Sequence, residues 1–266
     1  VQCPCILLQL IATGKPLSTA GMMIEDGTRT YTIAMERTVV PENFSFRMTD
    51  EEYRVLEKIK NSIPVCYLAD HADFALGIVT GNNKKFLSAE KTQHSEMVLK
   101  GTDICKYHIN PVKQYLRFEP EQFQQVAPLE IYRAPEKLLY RFISNQLVVA
   151  YDDRQMLSLN SCNIVIPKIE GMQIKYILAI LNSSVSQFVY QKEFHSIKVL
   201  RAHMEHIPIP RVGKAIQNEI IAMTEPLICG MGKEAAETCQ KRLDCRIMDL
   251  FRLSAEEQWI IRHALH

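Results

Sequence analysis

The stretch Gly77-Ile78-Val79-Thr80-Gly81-Asn82-Asn83-Lys84-Lys85-Phe86 carries the most informative pattern in the chain. Its apolar first half predicts a strand that ends at Thr80-Gly81, where glycine lets the backbone bend. Asparagine can pair bidentately with adenine, lysine neutralises phosphate, and glycine lets backbone N–H groups approach a phosphate oxygen. The stretch is therefore compatible with a nucleic-acid contact, but these residues alone favour a polar hairpin connection.

Charge is distributed unevenly on either side of this stretch. Residues 77–202 hold 16 Lys and Arg against 11 Asp and Glu, a net charge of +5. Residues 1–76 (7 against 10) and 203–266 (8 against 9) are net −3 and −1, and the three segments sum to the formal +1 of the whole chain. A basic middle is typical of a footprint for a polyanion, but many enzymes have a similar excess.

Hydrophobic periodicity predicts an α+β fold in which a sheet is followed by helices. Short β-type runs at 74–79, 115–118, 147–151 and 163–166 predict a curved, mostly antiparallel sheet. The pattern before them predicts a strand at 5–11, a hairpin of 22–25 with 30–34 around Asp26-Gly27, and a helix at 49–60. After them it predicts helices at 174–192, 214–227 and 233–253, a linker at 206–210, and a last helix capped by Ser254.

Composition favours a globular protein with a sizeable core. Hydrophobic residues make up 47% of the 266 residues and charged residues 23%. No apolar run approaches the length of a membrane span, and the start at Val1 resembles a cut inside a longer protein rather than a signal peptide. The eight cysteines form no C-x-x-C pair, so we expect reduced thiols and a cytoplasmic location.

Motifs for catalysis or metal binding do not emerge from the sequence. Asn110-Pro111-Val112 lacks the second proline and the aromatic ring of the amino-methyltransferase tetrapeptide, and Gly230-Met231-Gly232 lies between predicted helices rather than after a strand. Asp/Glu-x-Lys, the common nuclease signature, does not occur. Asp152-Asp153 and the pair His203/His206 are interpreted as a strand end and a helix end. We therefore predict no catalytic and no metal-binding residues in this chain.

Ordered motifs over residues 49–266 resemble the specificity domain of TaqI-like and Type IIG (Eco57I-like) restriction-modification adenine methyltransferases. The first is the stretch 77–86 after a short helix. The next are 100–104 with Tyr107, the strand 115–118, Pro135 to Leu139, and Tyr151-Asp152. They continue with 159–161 before the strand 164–167, with 178–183, with the Pro-x-Pro at 208–210, and with 243–244 and 250–257 in the helical tail. Residues 1–48 match this family only loosely.

The resemblance implies sequence-specific recognition of double-stranded DNA. It implies three regions: strands and a helix at 1–64 that would link to a methyltransferase domain, a target recognition domain at 65–210, and a helical region at 211–266. Its cofactor, S-adenosylmethionine, belongs to that methyltransferase domain of the same polypeptide, and we expect no cofactor here. The residues expected to contact DNA are Thr80, Gly81, Asn82, Asn83, Lys84, Lys85, Lys100, Arg133, Lys137, Asn160, Ser161, His195 and Lys198.

Within this set, the lysines and Arg133 are predicted to bind phosphates, whereas Asn82, Asn83, Asn160 and Ser161 are predicted to read base edges. His195 and Lys198 are predicted to add backbone contacts. Two alternatives stay open: an enzyme whose active site is dispersed along the sequence, and a protein-interaction module without affinity for nucleic acid. The family cannot indicate which DNA sequence is recognised, because its contacting side chains diverge.

Overall fold

A computed structural model of the chain describes residues 19–26, 29–35, 37, 47–194 and 196–265. The chain divides into two compact units, Val1–Asp50 and Glu51–His266. The strand predicted at 5–11 lies outside the described residues, as does Gly27 of the predicted turn. The two units are described separately below.

The strands are short, as the frequent turn residues of the sequence predict. In chain order they are β1 (Met22–Asp26), β2 (Arg29–Ile33), β3 (Val65–Cys66), β4 (Ala72–Ala75), β5 (Leu87–Ser88), β6 (Glu96–Leu99), β7 (Tyr115–Leu116), β8 (Lys137–Arg141), β9 (Val149–Asp152), β10 (Leu157–Ser158), β11 (Cys162–Pro167) and β12 (Ile209–Pro210).

The longer helices lie in the last third of the chain. The helices are α1 (Asp50–Asn61), α2 (Asn83–Phe86), α3 (Leu129–Tyr132), α4 (Ile174–Asn182), α5 (Ser184–Glu193), α6 (Arg201–Glu205), α7 (Lys214–Cys229), α8 (Lys233–Leu250) and α9 (Ala255–Ala264). Mixed helices and antiparallel sheets with C-terminal helices confirm the predicted α+β class. None of the helices described is long and apolar enough to cross a membrane.

The first unit contains the predicted hairpin. β1 and β2 pair antiparallel, with Met22 opposite Ile33 and Asp26 opposite Arg29. The Arg37 guanidinium donates to the Asp50 carboxylate at 3.0 Å and to the Met48 carbonyl at 2.7 Å. Both charged side chains are almost fully buried, so their pairing compensates for the loss of water.

The second unit contains two four-stranded sheets where the sequence predicted one. One sheet has the order β4-β11-β8-β9 and is antiparallel throughout. The other has the order β10-β6-β7-β5, and its β10 and β6 run parallel. Strands of two to four residues offer too few ladder hydrogen bonds to extend one sheet, and their apolar side chains share a core instead. That core includes Ile78, Leu99, Leu116, Leu139 and Ile164.

The predicted helix at 174–192 is interrupted at Ser183, which has an extended backbone (φ −70°, ψ 158°). The Ser183 hydroxyl accepts a hydrogen bond from the Ser186 N–H and so caps α5. The preceding Asn182 side chain pairs with both backbone groups of Val149, at 3.1 Å to its N–H and 2.8 Å to its carbonyl. The last residue of α4 is therefore tied to β9, and the chain restarts as α5.

Residues 206–210, predicted as a linker, are mostly buried instead. Ile207 and Ile209 are fully buried, and β12 pairs antiparallel with β3. The Pro210 carbonyl accepts a hydrogen bond from the Tyr176 hydroxyl at 2.9 Å. Proline is compatible with this place because a two-stranded ladder leaves one side of each strand without a partner.

The C-terminal helices cover α4 and α5, and α4 in turn contacts β8 and β9 of the sheet. α7 and α8 pack against each other and against α4 and α5, and α9 packs against α5. Asp244 of α8 accepts a hydrogen bond from the Ser184 N–H at 2.8 Å, which satisfies a free donor at the start of α5. The predicted capping box of α9, Ser254 with Glu257, is confirmed.

Candidate functional site

An open cleft of about 430 Å³ collects several of the residues expected to contact DNA. Five of its lining residues are in the predicted set, and three are not. The lining consists of Asn83, Lys84, Lys100, Asn160 and Ser161 together with Leu87, Gln114 and Leu159. Widely separated parts of the chain therefore meet at one surface.

Three chain segments that run in the same direction create this cleft. β10 pairs parallel with β6, with Ser158 beside Leu99, and Ile78 forms a parallel bridge with Leu159. The Ile78 N–H donates to the Ser158 carbonyl at 2.7 Å, and the Leu159 N–H donates to the Leu99 carbonyl at 2.7 Å. The carboxyl ends of parallel segments lie at the same edge. The turns that leave this edge carry the polar side chains of the cleft.

Two glycines allow these segments to approach closely. A Cβ on Gly77 would lie 2.2 Å from the Leu159 carbonyl oxygen, and one on Gly101 would lie 2.5 Å from the Ser161 carbonyl oxygen. Both neighbours are backbone atoms, which cannot rotate away. The Gly101 N–H also donates to the Ser161 hydroxyl at 2.9 Å. Glycine is therefore required at both positions for the turns to meet.

The loop after Ile78 is held by its own polar side chains. The Thr80 hydroxyl is buried and donates to the Asn83 side-chain oxygen at 2.6 Å. The Asn82 side chain caps α2 by accepting from the Lys85 N–H at 3.3 Å, and Gly81 has a positive φ of 76°. These two asparagines are therefore exposed and also stabilise the local structure of the loop. Lys84 projects from α2 into the cleft lining.

The cleft has a positive character. Lys84 and Lys100 are exposed, and neither has an ion-pair partner within the described ranges. No carboxylate is among the lining residues described. Asn160 is exposed, with its backbone N–H bonded to the Ile78 carbonyl at 3.1 Å, and Gln114 supplies a second amide. Ammonium and amide groups in this arrangement can bind phosphate oxygens and the donor and acceptor groups of base edges.

Two predicted cations lie away from the cleft lining. The Lys85 ammonium sits 4.6 Å from the centre of the Phe86 ring. The Arg133 guanidinium pairs with the Glu96 carboxylate at 2.7 Å and also donates to the Gln155 carbonyl. Glu96 begins β6, whereas Lys100 follows its other end, about 13 Å further along the strand. Arg133 therefore pairs at the end of β6 opposite to Lys100, and it is not among the cleft-lining residues. Arg133 is thus not brought together with Lys84 and Asn160.

Lys137 is a correction to the predicted set, because its side chain is fully buried. Its ammonium pairs with the buried Asp152 carboxylate at 2.5 Å and donates to the Tyr132 carbonyl at 2.7 Å. Burial lowers the pKa of Lys137, and the Asp152 charge opposes that shift. A side chain with no exposed surface cannot reach a phosphate, so Lys137 holds β8 and β9 together instead.

Lys198 and His195 were predicted to add backbone contacts. Lys198 is exposed, and its ammonium lies 5.9 Å from the centre of the Phe142 ring. Phe142 donates its N–H to the Ser161 carbonyl at 3.0 Å, which connects the Lys198 loop to the cleft edge. His195 lies outside the described residues.

Sequence reasoning missed Gln114, Leu87 and Leu159 in the cleft, and it missed Arg141 beneath it. The Arg141 guanidinium donates to the Gly101 carbonyl at 2.9 Å and to the Ile104 carbonyl at 2.6 Å, which fixes the Lys100 turn. A lone arginine at a strand end gives no signal of such a role. Gln114 could have been suspected, because it is a polar residue directly before an apolar strand.

Residues 96–209 match the family model of the TaqI-like C-terminal specificity domain. The matched segment contains Lys100, Gln114, Asn160 and Ser161 of the cleft, while Asn83 and Lys84 precede it. The search of curated proteins found no match to the chain.

Solved structures of restriction-modification proteins align with this chain. The Type IIL enzyme MmeI, solved in complex with DNA, aligns with a TM-score of 0.50 and 11% identity over 75% of this chain and 35% of its own. A structure of a type I restriction-modification system aligns with a TM-score of 0.45 and 12% identity, over 82% of this chain and 52% of its own. The HsdS subunit from Thermoanaerobacter tengcongensis aligns with a TM-score of 0.41 and 13% identity, over 81% of this chain and 50% of its own.

The chain spans about half or less of each of these structures. At these identities the MmeI alignment speaks for the fold alone, and it agrees with the α+β architecture described above. The similarity to a known family rests on the sequence match over residues 96–209, which is less than half of the chain. Over these residues the chain is similar to the TaqI-like C-terminal specificity domain.

Proposed function

We propose that this chain recognises a specific sequence of double-stranded DNA for a restriction-modification adenine-N6 methyltransferase. The observation that carries the proposal is the cleft in which Lys84, Lys100 and Asn160 meet. Lysines without carboxylate partners favour binding to a polyanion, and exposed amides supply the donors and acceptors that base edges require. MmeI, whose fold is similar, was solved bound to DNA.

In this proposal, some side chains position the protein on the DNA backbone and others read the base sequence. Lys84 and Lys100 bind phosphates on the DNA backbone and set the register of the protein on the duplex, which is independent of sequence. Asn160 and Gln114 line the same cleft and, in this proposal, face base edges in the major groove, where each base pair displays its own pattern of donors and acceptors. Ser161 contributes mainly by holding the Gly101 turn.

Methyl transfer is assigned by this proposal to a partner domain of the same polypeptide, which would bind S-adenosylmethionine. The resemblance to TaqI-like and Type IIG enzymes supports that assignment. In the part of the chain that is described, no three His, Cys, Asp or Glu side chains converge as a metal site. The role of this chain in the proposal is to place the target adenine.

A double substitution of the cleft lysines tests the proposal. Lys84→Gln with Lys100→Gln should weaken binding to every duplex sequence alike, and it should lower the slope of log K against log salt by about 2, since each phosphate contact contributes about 0.9. Fluorescence anisotropy of a labelled duplex across a salt series measures both quantities. The matched control is Lys214→Gln with Lys233→Gln, which removes the same charge from exposed positions at the starts of α7 and α8.

The proposal predicts that the control keeps the wild-type slope. An equal loss in both double variants would mean that only net charge matters, and the cleft would not be the binding surface. If the wild-type chain binds no duplex at low salt, the proposal fails as a whole.

A further inference from the structure

Two large apolar side chains stand exposed next to the cationic cleft. Ile143 is 63% exposed and Ile197 is 70% exposed, although both lie on ordered backbone. An exposed isoleucine stabilises nothing in the free protein, so its free energy of burial is available to a ligand. The question is which ligand covers it.

Backbone hydrogen bonds fix this apolar edge to the cleft. The Phe142 N–H donates to the carbonyl of Ser161, a cleft residue, at 3.0 Å. The Val199 N–H donates to the Phe142 carbonyl at 2.8 Å, and the Ser144 N–H donates to the Ile197 carbonyl at 2.9 Å. The backbone that carries the two isoleucines is therefore joined directly to the edge of the cleft at Ser161.

Cationic side chains surround the same edge. Ile143 forms an antiparallel bridge with Lys198, and paired residues of such a bridge extend their side chains to the same side of the backbone. Lys198 is exposed and has no carboxylate partner in the described part of the chain. Lysine beside isoleucine suits a ligand that presents an apolar group close to a negative one.

We propose that Ile143 contacts the C5-methyl group of a thymine in the major groove, while Lys198 binds an adjacent phosphate. This inference rests on the proposed function and adds a specificity-determining residue to it. The thymine methyl is the apolar group that DNA displays on its major-groove edge, and apolar side chains are the groups that read it. Two isoleucines bury far less than the roughly 800 Å² per partner of a protein interface, so DNA fits this edge better than a protein.

Replacing thymine by uracil in the DNA tests the contact without changing the protein. The whole chain is first used to enrich a bound duplex from a randomised pool, and that duplex is then synthesised with uracil for thymine. Wild-type affinity should fall by about four-fold for each contacted methyl, since burying one such carbon contributes about 0.8 kcal/mol.

The variant Ile143→Ala completes the cycle. Its affinity for the thymine duplex should be lower than the wild-type affinity by the same factor. Replacing thymine by uracil should not lower the affinity of this variant any further, because the contact is already absent. Leu129→Ala is the matched control, since Leu129 is an exposed apolar side chain of α3, and it should keep the full difference between the two duplexes.

The outcomes separate this inference from the proposed function. If the wild-type chain enriches no duplex, the proposed function itself is wrong. If it binds a duplex but does not distinguish thymine from uracil, or if Ile143→Ala keeps the wild-type difference, only the methyl contact is wrong.

Discussion

At the scale of single residues, lysines with similar sequence surroundings lie in different environments in the structure. Lys84, Lys100 and Lys137 all follow or begin short β-type runs, and all three were predicted to bind phosphate. Two are exposed at the cleft, whereas Lys137 is buried against Asp152. The partner of a buried charge lies on another strand, and one-dimensional spacing does not indicate it. Sequence patterns of this kind therefore do not distinguish an exposed cation from one that is buried in an ion pair.

Breaking the buried pair should be costly. Lys137→Met leaves the Asp152 carboxylate buried without its cation, with only the Arg154 and Met156 N–H groups to donate to it. We expect a loss of about 3–5 kcal/mol in the free energy of unfolding, measured by urea denaturation. Lys175→Met breaks an ion pair with Glu225 that is partly exposed, and it should lose less than about 1 kcal/mol. Equal losses would contradict the role assigned to Lys137.

At the scale of elements, the cleft depends on three short parallel segments rather than on any long strand. The sequence predicted where the polar turns begin, because each follows an apolar run. Their convergence could not be predicted, since it depends on the parallel pairing of β10 with β6 and on the bridge between Ile78 and Leu159. Pairings of two residues leave almost no periodic signal. The break at Ser183 was missed for a similar reason, because Asn182 bonds to a distant strand.

Enlarging either glycine should open the cleft. In Gly77→Ala or Gly101→Ala the new methyl group meets a backbone carbonyl closer than any real contact allows, so the segments must separate. We expect each variant to lose about 1–3 kcal/mol of stability, and to bind DNA more weakly at temperatures where it is still folded. Thermal denaturation and duplex binding together measure this. Gly213→Ala is the control: its φ is −68° and a Cβ there meets nothing within 4 Å, so both properties should stay close to wild type.

At the scale of the second unit, apolar burial reaches from the sheets through α4 and α5 to the C-terminal helices. Tyr140 of β8, Tyr176 of α4 and Tyr190 of α5 are all nearly or fully buried. The α+β class and the helices predicted at 49–60, 214–227 and 233–253 are confirmed. The extra sheet and the burial of residues 207–210 were not predicted, because short apolar runs with prolines resemble linkers until their partners are known.

Ionisation of the buried tyrosines should destabilise the folded chain at alkaline pH. Burial raises the pKa of Tyr140 and of Tyr190 to about 12, against about 10 in an unfolded chain. Because the folded-state pKa is the higher one, this contribution to stability is complete below about pH 10 and declines as the pH rises toward 12. Circular dichroism and phenolate absorbance should change together in that range. The urea-unfolded chain is the control, and its tyrosines should all ionise near pH 10.

The two glycine contacts and the Arg141 guanidinium hold the cleft by means of backbone atoms, while Lys84, Lys100 and Asn160 contribute little to that support. Substitutions at these outer positions therefore leave the underlying architecture intact. Under the proposed function, a lineage that carries this domain would exchange one preferred DNA target for another through a few point mutations, without passing through a misfolded intermediate. The backbone frame would stay constant while the contacting side chains were replaced.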